Sequence, residues 1–165
     1  MLHPTGYYIL TSGLEFGLAP SDYLPTTLMA RILILDDEPV PCRFLSRFLS
    51  GHGYQVETAI RAQEAIELAA EFRPDLLLVD WLLKDECNGL DVARTLRARN
   101  PELCLVFITG LPTEKIEVQA ESLRPCTVLG KPTDLDVLLA TIQISLAASE
   151  TRQAGSCNQP QSHHT

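Results

Sequence analysis

Apolar positions recur in a regular pattern between residues 29 and about 147 of the chain. Short apolar runs, some of them alternating with polar residues, predict strands at 32–35, 54–58, 76–79, 103–108 and 127–129. Apolar residues at helical spacing predict helices at 39–49, 62–72, 90–98, 113–123 and 135–147. Prolines and glycines separate many of these segments, which is typical of an alternating α/β protein.

The alternation of strands and helices indicates βαβ units, because parallel neighbours need a long crossover connection. Right-handed crossovers leave few possible topologies. We therefore expect a doubly wound, five-stranded parallel sheet in the order 2-1-3-4-5, with helices on both faces. Residues 29–148 would form this domain, which is long enough to bury one hydrophobic core.

The two ends of the chain differ from this central pattern. Residues 1–28 contain several prolines and glycines and show no sustained period. They predict a flexible extension upstream of a natural start at Met29, and an arm that packs on the domain through its aromatic residues is the alternative. Residues 149–165 are polar, end in GSCNQPQSHHT and predict a disordered tail.

Composition restricts the partners and the compartment. Lys and Arg number 13 against 21 Asp and Glu, a formal net charge of −8, which disfavours direct contact with nucleic acid. The five cysteines form no C-x-x-C pair and predict neither a zinc site nor a disulfide framework. No apolar run approaches the ~18 residues of a membrane span. Without signal-peptide features at the start, we expect a cytoplasmic protein.

Acidic residues follow two strands that this topology places side by side. Asp36 and Asp37 follow the first strand, and Asp80 ends the third. In open α/β sheets, ligands bind outside the carboxyl ends of the strands, where the strand order reverses. Three carboxylates so close together repel one another unless a cation lies among them. A set of oxygen ligands without His or Cys favours Mg²⁺, with Mn²⁺ or Ca²⁺ as alternatives.

Two further strand ends add a hydroxyl group and a positive charge to the same edge. Thr109 ends the fourth strand in the segment FITG, and Lys131 follows the fifth strand in LGKP. A metal-binding acid cluster, a nucleophilic carboxylate, a hydroxyl donor and an ammonium group suit the transfer of a phosphoryl group to a carboxylate.

From residue 29 to about 147, the chain resembles a response-regulator receiver domain of two-component signalling, which has a flavodoxin-like fold. Four segments carry the resemblance, in the family's order and spacing: LILDDEP, LLLVDWLL, FITG and LGKP. The resemblance implies that Asp80 is the phosphorylated residue. It also implies that Thr109 donates a hydrogen bond to the phosphoryl oxygens and that Lys131 binds the phosphoryl group.

The same resemblance implies a Mg²⁺ cofactor. Asp37 and Asp80 would ligate the ion, Asp36 would act directly or through water, and the backbone carbonyl of Leu82 would complete the protein ligands. Phosphorylation would draw the loop at Thr109 inward and change a surface around the fourth helix and fifth strand.

Three features depart from the family's pattern. Lys84 stands where the family usually has a proline, in the loop after the strand that carries the phosphorylated residue. This loop, from Asp80 to Gly89, is one residue longer than the family's usual loop. Val128 occupies a position on the fifth strand that is usually aromatic, which argues against coupling through an aromatic side chain. Trp81, next to the acid cluster, is expected to be a partly exposed reporter of the site.

The resemblance implies a partner with a phosphohistidine, either a histidine kinase or a histidine phosphotransfer protein, and an unidentified downstream protein. Because the predicted domain fills almost the whole sequence, we expect a stand-alone receiver. It would catalyse only its own phosphorylation and dephosphorylation, so it would not be an enzyme with a separate substrate. Pairing of two copies on activation is an expectation from the family alone.

Two other functions stay open. One is a receiver-like module that binds a partner without phosphorylation, for which Lys84 and Val128 are the warning signs. The other is a Mg²⁺-dependent phosphohydrolase similar to haloacid-dehalogenase-like enzymes. Such enzymes need a second acid two residues after the nucleophile and usually a threonine beyond it, and Glu38 and Val40, counted from Asp36, fit that pattern poorly.

Overall fold

The protein is described by a computed structural model that covers residues 30–84 and 88–156. A parallel sheet of five strands, in the order β2-β1-β3-β4-β5, forms its centre. The strands are β1 (Arg31–Leu35), β2 (Gln55–Ala59), β3 (Leu76–Asp80), β4 (Cys104–Thr109) and β5 (Thr127–Gly130). The predicted fold class and strand order are confirmed. The expected extension at 1–28 lies outside the described residues.

Helices follow the strands as predicted, with one break. They are α1 (Pro39–Gly51), α2 (Ala62–Phe72), α3 (Gly89–Arg99), α4 (Thr113–Gln119) and α5 (Leu135–Ser156). The single helix expected at 113–123 is divided at Ala120, after which Glu121–Leu123 form a 3₁₀ turn. Ala120 is buried, and Pro125 follows closely, so the chain tightens and turns back toward β5 instead of continuing the α-helix.

Side chains alternate between the two faces of the sheet and build two apolar layers. One layer lies under α2, α3 and α4 and includes Leu33, Leu35, Leu77, Val79 and Phe107. The other lies under α1 and α5 and includes Ile32, Ile34, Leu76, Leu78 and Val106. Because β3 and β4 are buried along their whole length, they read in the sequence as continuous apolar runs.

The last helix is longer than the apolar pattern predicts. Helix α5 continues past the expected end at residue 147 to Ser156, so residues 149–156 of the expected tail are helical. Two contacts with the α3–β4 connection hold this extra length. Ser149 Oγ donates a hydrogen bond to the Glu102 carbonyl at 3.1 Å, and Arg152 Nε lies 3.8 Å from Glu102 Oε2. Residues 157–165 lie outside the described part of the chain.

Among the described residues, no helix has the length and apolar character that crossing a bilayer requires.

The parallel strands give the sheet one edge at which their carboxyl ends meet. Strands β1, β3, β4 and β5 run in parallel, so their carboxyl ends, and the side chains that follow them, meet on one side of the sheet.

Candidate functional site

The predicted acids converge at the carboxyl edge of the sheet. Leu35 at the end of β1 pairs with Val79 of β3, which brings Asp36 and Asp37 beside Asp80. One carboxylate oxygen from each of the three acids lies within 4.8 Å of the others. Asp36 and Asp80 are buried, whereas Asp37 lies closer to the surface. Three negative charges are therefore concentrated in a small volume that water enters only in part.

Lys131 neutralises the buried half of this cluster. Its Nζ donates hydrogen bonds to Asp80 Oδ2 at 2.7 Å and to Asp36 Oδ2 at 3.1 Å. Burial acts to lower the pKa of Lys131, but the hydrogen bonds to Asp80 and Asp36 outweigh it, and the pKa is raised overall. The lysine therefore stays charged while it bridges two acids from different strands.

Lys84 contacts the third acid, a contact that the sequence did not predict. Its Nζ lies 3.0 Å from Asp37 Oδ2, and this short contact is the main cause of the raised pKa of Lys84. The sequence marked Lys84 only as the replacement of a proline. The available signal was its charge, because a lysine placed four residues after Asp80 can reach an acid cluster at the same edge.

Backbone amides fix the remaining carboxylate oxygens. The Leu82 amide donates to Asp80 Oδ1 at 3.1 Å, and the Glu38 amide donates to Asp36 Oδ1 at 2.9 Å. These bonds hold each carboxylate in one orientation toward the cluster. The role of the Leu82 carbonyl as a metal ligand stays a prediction.

Gly89 allows helix α3 to begin directly against the acid cluster. A Cβ atom at this position would collide with the Asp80 carbonyl oxygen and would lie 2.9 Å from Val79 Cγ2. The Gly89 amide donates to the Trp81 carbonyl at 3.3 Å, and the Asn88 side chain caps α3 by accepting from the Asp91 amide at 3.0 Å. Close backbone approach, rather than an unusual φ angle, requires glycine here.

Thr109 and Lys131 are tied together through the backbone. The Lys131 amide donates to the Thr109 carbonyl at 2.6 Å, and Thr109 Oγ1 accepts a hydrogen bond from the Leu111 amide at 3.0 Å. Thr109 ends β4, as predicted, and it is fully buried there. Any movement of its hydroxyl group would change the support of the β4–α4 loop.

The donor set fits a hard divalent cation. All three clustered groups are carboxylates, and the ion pair of Asp37 Oδ2 is with the exposed side chain of Lys84, not with a buried group. Two lysines facing three carboxylates leave one formal negative charge over. The residues present therefore suit Mg²⁺.

Two side chains beside the acid cluster, Trp81 and Cys42, are packed into the protein interior. Trp81 is buried and stacks edge-on against Phe107, with ring centroids 5.4 Å apart, so the expectation of partial exposure is wrong. The Cys42 thiol donates to the Asp36 carbonyl at 3.2 Å, and burial, with the nearby Asp36 charge, raises its pKa to about 11. A thiol that stays protonated is a poor nucleophile, so Cys42 packs under the site and takes no part in the chemistry.

Comparisons with known proteins agree with the fold and with the resemblance carried by the sequence. The family model described as "Response regulator receiver domain" matches residues 32–143. The chain is similar to the response regulator MprA of Mycobacterium leprae, with 34% identity over 124 residues, covering 75% of this chain and 54% of that protein. It is similar to MprA of Mycobacterium tuberculosis strain H37Rv, with 32% identity over 127 residues, covering 77% and 55%. The chain thus spans about half the length of the curated relatives it matches.

Solved structures show the same fold. A CheY-like response regulator receiver domain protein from Methanospirillum hungatei superposes with a TM-score of 0.70 at 24% identity, covering 75% of this chain and 98% of that one. NtrX from Brucella abortus superposes with a TM-score of 0.73 at 25% identity, covering 82% of this chain and 31% of that one.

Proposed function

Because the chain belongs to the response regulator receiver family of two-component signalling, we propose that it accepts a phosphoryl group from a phosphohistidine on Asp80. One observation carries this proposal. Asp80 is buried at the end of β3, oriented by the Leu82 amide and Lys131, and surrounded by two further acids at metal-binding distance. The phosphohistidine would belong to a histidine kinase or to a histidine phosphotransfer protein.

In the transfer step, a carboxylate oxygen of Asp80 attacks phosphorus in line with the leaving group. The bond from phosphorus to the histidine ring nitrogen breaks, and that nitrogen leaves with the electron pair. Mg²⁺ held by Asp36, Asp37 and Asp80, with the Leu82 carbonyl, would supply positive charge at the phosphoryl oxygens. Lys131 would supply a second positive charge at the phosphoryl oxygens. In the free protein, its ammonium group is paired with Asp80.

Thr109 offers the route from phosphorylation to signalling. Its hydroxyl oxygen supports the Leu111 amide at 3.0 Å in the free protein. When the hydroxyl turns to donate to a phosphoryl oxygen, the β4–α4 loop that carries Leu111 shifts with it. Val128 of β5 is partly buried against the apolar layer under α2, α3 and α4. A shift of the β4–α4 loop would therefore be transmitted through aliphatic packing instead of through an aromatic side chain.

The domain acts on itself and turns over no separate substrate, and its downstream protein is unidentified. The described cysteines are free thiols, namely Cys42, Cys104 and Cys126, which supports a reducing, cytoplasmic compartment.

The test is intact mass measured after incubation with a small acyl phosphate, with and without Mg²⁺. We expect a single phosphoryl adduct on the wild type that requires the metal and disappears in Asp80→Asn. Asp136→Asn, which makes the same change on an exposed residue of α5, should keep the adduct. An adduct that survives in Asp80→Asn would overturn the assignment of the acceptor.

A second candidate function, partner binding without phosphorylation, has one observation in its favour. Lys84 and Lys131 already contact all three acids in the free protein. No adduct from a folded wild-type protein, together with partner binding that is unaltered in Asp80→Asn, would support this reading and overturn the first.

A further inference from the structure

Lys84 stands apart from the other basic group at the acid cluster. Its side chain is 78% exposed, yet its Nζ lies 3.0 Å from Asp37 Oδ2, which is 11% exposed at the side chain. This oxygen has almost no contact with solvent, and the Lys84 ammonium group is its ion-pair partner among the described residues. The ammonium group therefore occupies a carboxylate of the cluster to which a metal ion would bind.

The two lysines divide the acids between them. Lys131 bridges Asp36 and Asp80, and Lys84 contacts Asp37 alone. A divalent cation that binds Asp37 Oδ2 must replace the ammonium group or remain close to a like charge. Either event has a free-energy cost, because opposite charges attract and like charges repel over several ångströms even where solvent screens them.

We propose that Lys84 is an internal competitor of the divalent cation at Asp37 and sets the metal affinity of the site. In the free protein the lysine side chain neutralises Asp37, and metal binding displaces it into solvent. This inference rests on the proposed function, in which the acid cluster binds Mg²⁺. It assigns to Lys84 a role in metal affinity that is separate from the phosphoryl contacts proposed for Lys131.

Release of Lys84 would also change the surface around the site. With metal bound, an ammonium group that was paired with Asp37 becomes free at the rim of the cluster. The occupancy of the metal site would then alter the charge that an approaching partner meets, without any change in the sheet.

The test is a titration with MgCl₂ alone. Binding is measured by calorimetry and by the fluorescence of the single tryptophan, Trp81, which is adjacent to Asp80 in the sequence. Lys84→Met removes the charge and keeps the length of the side chain, and Lys84→Gln serves as a second neutral variant. Lys84→Arg keeps the charge. Lys115→Met makes the same change of net charge at an exposed site on α4 and is the matched control.

We expect the Kd for Mg²⁺ to fall about three- to tenfold in Lys84→Met and Lys84→Gln, and to stay near the wild-type value in Lys84→Arg and Lys115→Met. The difference should shrink as ionic strength rises. If Lys84→Met and Lys115→Met give the same Kd, the competitor role is wrong, but the metal site and the proposed function stand. If neither the wild type nor any Lys84 variant binds Mg²⁺, both fail.

Selective ¹⁵N and ¹³C labelling of lysine gives a second readout. The chain has three lysines, Lys84, Lys115 and Lys131, so each side-chain resonance can be assigned by substitution. Addition of Mg²⁺ should move the Lys84 signal toward its position in Asp37→Asn, where the ion pair is removed. A Lys84 signal that responds neither to Mg²⁺ nor to Asp37→Asn would overturn the proposal.

Discussion

Two halves of one acid cluster are held by lysines in different surroundings. Lys131 is 35% exposed and bonds to two buried carboxylates, whereas Lys84 is 78% exposed and contacts one. Removing one partner of a buried ion pair leaves an uncompensated charge and is costly, but an exposed pair contributes little to stability. In the inner half (Asp36, Asp80 and Lys131), the lysine therefore acts on stability and chemistry. In the outer half (Asp37 and Lys84), it acts on metal affinity.

The backbone strengthens this contrast. The Lys131 amide donates to the Thr109 carbonyl at 2.6 Å. The backbone of the inner lysine is therefore held between the ends of β4 and β5, which the sheet fixes in position. Lys84 lies in the connection from β3 to α3, outside the regular elements. The inner half is preorganised by the fold, and the outer half can exchange its cation.

Lys131→Met should have the largest effect on phosphoryl transfer, because it removes the charge that both buried acids share. We expect the rate of adduct formation with an acyl phosphate to fall by about a hundredfold or more, as when a preorganised charge contact is lost from an active site. The free energy of unfolding in metal-free buffer should fall by about 1–2 kcal/mol, a value discounted because a third of the side chain is exposed.

Intact-mass time courses and urea denaturation measure these two effects. Mg²⁺ should restore part of the lost stability, because a bound cation stabilises the folded state that holds it. Lys115→Met is the control for net charge. An adduct rate equal to that of the wild type would mean that the inner lysine is only a structural counter-ion.

Gly89→Ala tests how closely the start of helix α3 packs on Asp80 of the inner half. The added methyl group would collide with the Asp80 carbonyl oxygen, which belongs to a buried strand and cannot move freely. We expect a loss of about 2–3 kcal/mol in the free energy of unfolding, as for overpacking in a core. Gly51→Ala, where a Cβ atom meets nothing within 4 Å, should change stability much less in the same urea titration.

Much of this arrangement could be predicted, because local patterns encode it. The continuous apolar runs of β3 and β4 indicated strands buried on both faces, and the strand order then brought Asp36, Asp37 and Asp80 together. Both steps depend on periodicity and on the handedness of crossovers, which are properties of the chain itself.

The parts that could not be predicted depend on tertiary contacts. The contact of Lys84 with Asp37 joins a loop to the end of β1, and the charge of Lys84 at its position after Asp80 only hints at it. Helix α5 extends beyond its apolar pattern because Ser149 and Arg152 contact Glu102. Trp81 is buried because it stacks on Phe107 of the neighbouring strand.

The pH dependence of stability should show how tightly the inner half is enclosed. Cys42 lies against Asp36, and its pKa is raised from 9.0 to about 11 by burial and by that acid. A raised pKa in the folded state means that stability is fully present below pH 9 and is lost as the pH rises toward 11. At pH 10 the expected loss is on the order of 1 kcal/mol.

Urea titrations of the wild type and Cys42→Ala at pH 8 and pH 10 measure this loss, because alanine cannot ionise. The stability advantage of the wild type should narrow at the higher pH. An advantage that stays constant would indicate that the thiol is more accessible to water than its burial implies.

Lys84→Met should have the smallest effect on stability, and this result is what separates the two halves most clearly. The lysine is exposed, so the ion pair with Asp37 is screened by water and salt and adds little to the folded state. We expect the urea midpoint to match that of Lys115→Met in metal-free buffer, even though the two variants differ in Mg²⁺ affinity. If Lys84→Met instead lowered the midpoint as much as Lys131→Met, the outer lysine would be structural, and the division of the cluster into a fixed half and an exchangeable half would be wrong.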